Sequence, residues 1–157
     1  MLISTLAECL DRSVSGDAWH GPSLMSVLAD VTPEEAGARP ISGAHSILEI
    51  VLHVAAWMGE AASRLRGQPP AQPAQGDWPQ PIPWPDARAR LHSAARELRE
   101  GLAAFDESRL GDMVGAAREA PLGTGVTFTV MLVGVAEHNA YHGGQIALLK
   151  RALREVS

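Results

Sequence analysis

Residues 42–67 read SGAHSILEIVLHVAAWMGEAASRLRG, and this stretch decides the fold class. Between Ile47 and Met58 only Glu49 and His53 interrupt an apolar run that shows no strand-like alternation. A helix from about residue 43 or 44 to 66 fits, with Ser42 as its cap and Gly67 just past its end. At ~1.5 Å per residue it runs roughly 33 Å. Because it is apolar on nearly every side, it needs more than one packed neighbour.

Those neighbours are legible on both sides. Upstream, Leu2, Leu6, Cys9 and Leu10 recur at helical spacing, predicting a helix over about residues 2–12 that stops at residues 13–16. Pro22 suits the first position of a short helix over 23–29. Thr32-Pro33-Glu34-Glu35 is a start signal for another short helix, with Thr32 as cap and Glu35 closing a capping box. Downstream, Leu91, Ala94, Ala95, Leu98, Leu102 and Phe105 lie at offsets of three and four, which predicts a third principal helix over about 86–105. The last runs over about 126–153. Residues 67–85 hold most of the chain's Pro and read as an extended surface connection, while the Gly-rich residues 106–124 read as a loop or a broken helix. Four principal helices with a long Pro-rich second connection predict an all-α four-helix bundle, in one domain over residues 1–157.

Composition removes several functions. Thirteen Lys and Arg against 18 Asp and Glu give a net charge of -5, which argues against nucleic acid as a partner, since phosphate binding needs clustered positive charge. Cys9 is the lone cysteine, so no disulfide forms within the chain, and it is expected to be a small core hydrophobe in a reducing compartment. No stretch approaches the ~20 apolar residues of a membrane span, and MLISTLAECLDRS lacks a basic signal-peptide start. A soluble, cytoplasmic protein with no membrane partner is expected.

The chemistry is concentrated in histidines. His138 and His142 are one turn apart on the last helix, on the stripe with Met131, Val135, Tyr141, Gln145 and Leu149 that should face the core. Burying an unpaired polar group costs ~1–3 kcal/mol, so two adjacent imidazoles share an explanation: hydrogen-bonded core histidines, or ligands of one metal ion. His53 interrupts the second principal helix in the same way. One imidazole from that helix and two from the last would give three nitrogen ligands and an open position, the pattern of catalytic zinc. His20, in a loop, and His92, among arginines of the third helix, are expected to be solvated.

HVAAW at residues 53–57, with EHNAYHGGQIALLKRAL at 137–153, resembles the DinB/YfiT-like family of metalloenzymes. HGPSLMSVLADVTPEEAGARP at 20–40 and the segment from LRGQPP to DWP at 65–79 resemble a DinB subgroup, so the similarity covers nearly the whole chain. The resemblance implies a DinB/YfiT-like four-helix bundle holding a divalent transition metal, zinc or nickel, on His53, His138 and His142, with other positions left to water or substrate. It also implies a metal-dependent enzyme that activates a thiol or water: a thiol-dependent transferase using a low-molecular-weight thiol, or a hydrolase. A metal-stabilised, non-catalytic binding or stress-associated dimer module is the alternative class. A homodimer follows from the resemblance and from the all-round apolar second helix. Cys9 lies outside the motif, so any thiol should arrive with the substrate.

Groups that could orient these ligands follow from helix geometry. Glu49, one turn before His53, is a candidate acceptor for its second N–H, with an exposed helix residue as the alternative reading; Asn139, Tyr141 and Gln145 flank the histidine pair. His45 stands where many relatives have tryptophan and is expected to pack or lie at the surface. Gly143 and Gly144, each costing ~1 kcal/mol relative to Ala in mid-helix, are expected to mark a close helix approach rather than room beside the metal.

Overall fold

The computed structural model describes residues 2–155. Its α-helices are α1 (Leu2–Val14), α2 (Leu24–Leu28), α3 (Pro33–Gly37), α4 (Ile47–Leu65), α5 (Trp84–Ala103) and α6 (Phe128–Glu155). The fold is all-α, as expected. α4 packs against α5 and α6, and α1 packs against the same two helices, so the four long helices share one core. On α4, Ile47, Ile50, Val51, Leu52, Val54 and Met58 are at most 3% exposed. The all-round apolar character of α4 is thus satisfied within the chain, and it gives no support to self-association. Among the described residues no helix is long and apolar enough to cross a membrane.

Several boundaries differ from expectation for local reasons. α4 is capped by Ser46 and not by Ser42. The Ser46 hydroxyl accepts from Glu49 N, and the Glu49 carboxylate accepts from Ser46 N, a closed capping box. Gly43, at φ 77°, sits in a turn before the helix. At the other end Gly67 is left-handed at φ 86°, as expected of a residue just past a helix. The box at Thr32 and Glu35 forms as expected. α5 starts two residues early because Trp84 is an anchor: it is 6% exposed and its Nε1 donates to Val31 O.

Residues 106–124 fold as two short 3-10 turns, Glu107–Arg109 and Ala120–Leu122, around a strand β1 (Met113–Val114). β1 pairs antiparallel with β2 (Val126–Thr127), which is why α6 starts only at Phe128. A two-residue ladder is too short to show alternation. On α1 the buried stripe steps through Leu6, Leu10 and Val14, with Ser13. Cys9 lies off that stripe and is exposed, which corrects the expectation of a core hydrophobe.

The Pro-rich connection is pinned to α4 by a buried ion pair. Glu60 Oε1 accepts from Arg64 Nε at 3.0 Å and from Ala71 N at 2.9 Å, and both side chains are at most 9% exposed. Satisfying a buried carboxylate with a backbone N–H of the connection fixes where that connection runs. It then carries Asp77 and Trp78 past His53.

Candidate metal centre

His53 projects from the second turn of α4, and His138 and His142 from adjacent turns of α6. Packing of α4 on α6 brings the three together. His138 Nε2 lies 3.0 Å from His53 Nε2 and 3.1 Å from His142 Nε2, and the three ligand atoms are all within 4.8 Å of one another. His53 and His142 are buried; His138 is half-buried.

The outer nitrogens settle the tautomers. His53 Nδ1 is 2.7 Å from Asp77 O, an atom that only accepts, so Nδ1 carries the proton and Nε2 presents a lone pair. The Asp77 carboxylate adds a contact at 3.2 Å. His142 Nδ1 donates in the same manner to Gln145 Oε1 at 2.6 Å. Two lone pairs therefore face His138 Nε2, and a proton there could satisfy only one of them. A second proton on His138 is disfavoured at neutral pH: burial, then the neighbouring His142 and His53, lower its pKa to about 4. Burial also lowers that of His142. A divalent cation satisfies all three lone pairs at once. Ligands about 2.0–2.1 Å from zinc stand roughly 2.9–3.4 Å apart in octahedral or tetrahedral geometry, and the two spacings from His138, to His53 and to His142, fall in that range. The residues present fit a metal ion, and among the described residues no carboxylate or thiol joins the trio as a fourth ligand.

Of the flanking residues, Gln145 orients His142. Glu49 does not reach His53: its carboxylate is taken by Ser46 N and Arg39, with His45 Nδ1 at 3.7 Å. Asn139 is fully buried and donates to Ser13 Oγ at 3.1 Å, joining α6 to α1. Tyr141 is 65% exposed, its ring edge-on to His142. His45 packs on the Trp78 ring at 3.5 Å, and the other face of Trp78 stacks on His53 at 4.1 Å. His20 and His92 are exposed. A Cβ at Gly143 or Gly144 would meet no atom within 4 Å, so neither glycine marks a close helix approach.

Asp77 and Trp78 were not singled out in the sequence. Asp77 also accepts from Trp57 Nε1 at 2.6 Å, so one residue holds both His53 and its neighbour on the next turn of α4. A signal existed: Asp77 is the one charged residue in QPPAQPAQGDWPQPIPWP. A cavity of about 510 Å³ opens beside His53 and His142, walled by Ile50, Asp77, Trp78, Tyr141 and Leu149.

Residues 19–146 match the family model described as the DinB superfamily. Among solved structures, the crystal structure of the conserved protein of locus from Enterococcus faecalis superposes with a TM-score of 0.70 over 95% of each chain at 19% identity, a likeness of fold. No curated protein matches the chain.

Proposed function

The chain belongs to the DinB superfamily, and on that premise we propose that it is a divalent-metal-dependent enzyme, with His53, His138 and His142 as ligands of zinc or nickel. The observation that carries this reading is the convergence of three Nε2 atoms, two of them with lone pairs fixed by outer hydrogen bonds. A divalent ion held there lowers the pKa of a thiol or water that reaches it and supplies a nucleophile near neutral pH.

The chain's own residues do the rest. Asp77 and Gln145 hold the imidazoles with Nε2 inward. Trp78 covers one face of His53 and restricts water there. Three protein ligands beside an open cavity support a reactive site over a closed structural one. Cys9 is absent from the trio's surroundings, so a thiol reactant would arrive as a small molecule, and we favour a thiol-dependent transferase. Hydrolysis by activated water is the second reaction available to the same centre. A homodimer is part of this proposal, with the exposed apolar residues Val130, Val133 and Leu148 of α6 as candidate contacts.

The test is elemental analysis of tag-free protein, then melting with added zinc or nickel and a panel of low-molecular-weight thiols with electrophiles. Stoichiometric metal lost in His53→Ala, His138→Ala and His142→Ala, with helicity retained, is expected. No bound metal and no metal-dependent rise in Tm would reject the centre. Sedimentation showing a concentration-independent monomer would reject the dimer.

A further inference from the structure

The three histidines divide the seam between α4 and α6. His53 and His142 border the cavity beside Trp78, whereas His138 borders a different cavity of about 330 Å³ farther toward the start of α6. The two cavities differ in chemistry. The one beside Trp78 has no Lys or Arg in its walls among the described residues. The one beside His138 has apolar walls, including Trp57, Val126 and Met131, and two arginines at its border, Arg64 and Arg118.

Those two arginines are not equivalent. Arg64 is neutralised in place by Glu60. Arg118 has no carboxylate within 4.0 Å among the described residues; its Nη1 donates to Thr124 O at 3.0 Å, which leaves other N–H groups of the fork unused. The loop carrying it is tightly closed. Thr124 Oγ1 donates to Ala117 O at 2.7 Å and accepts from Glu119 N at 3.1 Å. Gly125, at φ 68°, comes so close that a Cβ would lie 2.6 Å from Arg118 Cα, which only glycine avoids. A guanidinium on a closed loop, at the edge of an apolar cavity, matches a planar anion attached to a hydrocarbon body. The volume lies at the small end of ligand sites, about 300–1,000 Å³.

We propose that the His138-side cavity is a binding site for a small apolar carboxylate, its hydrocarbon part against Trp57 and Met131 and its carboxylate on Arg118. Its use as the second-substrate site of a two-substrate reaction rests on the function proposed above; the binding itself does not. The site would bring that substrate to the centre from a cavity that shares no wall residue with the one beside Trp78, so two reactants would not compete for one pocket.

The test compares phenylacetate with its neutral isostere phenylacetamide by calorimetry on the full-length protein, as purified and after chelation. Phenylacetate is expected to bind about tenfold more tightly, the scale of one charge-assisted interaction, in both preparations. Arg118→Gln should bring the ratio to about one, leaving phenylacetamide unaffected. Gly134→Leu should abolish binding of both, because a Cβ at Gly134, on the cavity wall, meets no atom within 4 Å and the added side chain occupies the space without backbone strain. Equal affinities in the wild type, a preference indifferent to Arg118→Gln, or binding that survives Gly134→Leu in a folded variant would overturn the proposal. A preference lost on chelation would also overturn it, since the anion would then sit on the metal. Zinc stoichiometry on the same samples separates this result from the metal reading: a protein that binds no zinc removes the proposed enzyme, while the carboxylate comparison still decides the site.

Discussion

The crowding of imidazoles predicts how the metal-free protein responds to acid. His138 has a folded pKa of about 4 against an ordinary 6.5, with burial as the main cause. The unfolded chain therefore takes up a proton on this side chain between pH 6.5 and 4 that the folded chain refuses, and stability falls as pH falls through that window. Between pH 7.5 and 5 those two pKa values give about 2 kcal/mol, trimmed by the partial exposure of His138 to about 1–2 kcal/mol. At about 2–4 °C per kcal/mol for a chain of this size, His138 alone should take roughly 2–8 °C off the Tm of the metal-free protein over that range. His138→Gln keeps a polar side chain but cannot titrate. The difference in unfolding free energy between wild type and His138→Gln, measured by urea titration in EDTA, should shrink or reverse as pH drops from 7.5 to 5. The window avoids the paired carboxylates: Asp30, lowered by Lys150 and Arg154, and Glu35, lowered by Arg154, lose their contributions only below ordinary carboxylate values. Added zinc should raise Tm most at pH 7.5 and progressively less toward pH 5, because protons compete for the same lone pairs. Parallel wild-type and His138→Gln stabilities from pH 7.5 to 5 would show that the folded protein does not exclude a proton from His138.

Two further outcomes follow from the geometry. Ser46→Ala removes half of the α4 capping box and should cost about 1 kcal/mol, read as a lower Tm, while zinc stoichiometry stays unchanged; the same substitution at Ser42 should have little effect. Asp77→Ala removes the carboxylate that bonds Trp57 and supports His53 Nδ1, and it should weaken zinc affinity about 10- to 100-fold in a competition assay with a chelating dye, with far-ultraviolet circular dichroism preserved.

What the sequence made legible was what rests on helical periodicity. The one-turn spacing of His138 and His142 survives any small error in helix boundaries, and His53 stands out because its surroundings on α4 are apolar. Where two local signals competed, the reading went wrong. Ser42 and Ser46 both precede the apolar run, but only Ser46 has a Glu three residues later; weighing Glu49 only as a partner of His53 or an exposed helix residue passed over the capping box that sets the first turn of α4. Cys9 shared a spacing with Leu2, Leu6 and Leu10, yet the packed stripe is narrower than that spacing suggests. Asp77 was not legible for a different reason. Its contact with His53 spans 24 residues through a connection without periodicity, and it depends on the Glu60–Arg64 pair holding Ala71 in place. Likewise, nothing local joins Arg118 to the α4–α6 seam, because the fold of residues 106–124 is set by a two-residue strand pair and by Thr124.

One divalent ion is expected to sit on the three Nε2 atoms of His53, His138 and His142. Anomalous scattering recorded on either side of the zinc and nickel absorption edges, from crystals grown with the metal, tests it most directly. A single peak per chain is expected about 2.0–2.2 Å from Nε2 of His53, His138 and His142, with Asp77 and Gln145 still on the outer nitrogens. A peak that is stoichiometric but lies elsewhere, or no peak at this position with zinc or nickel in excess, would contradict it.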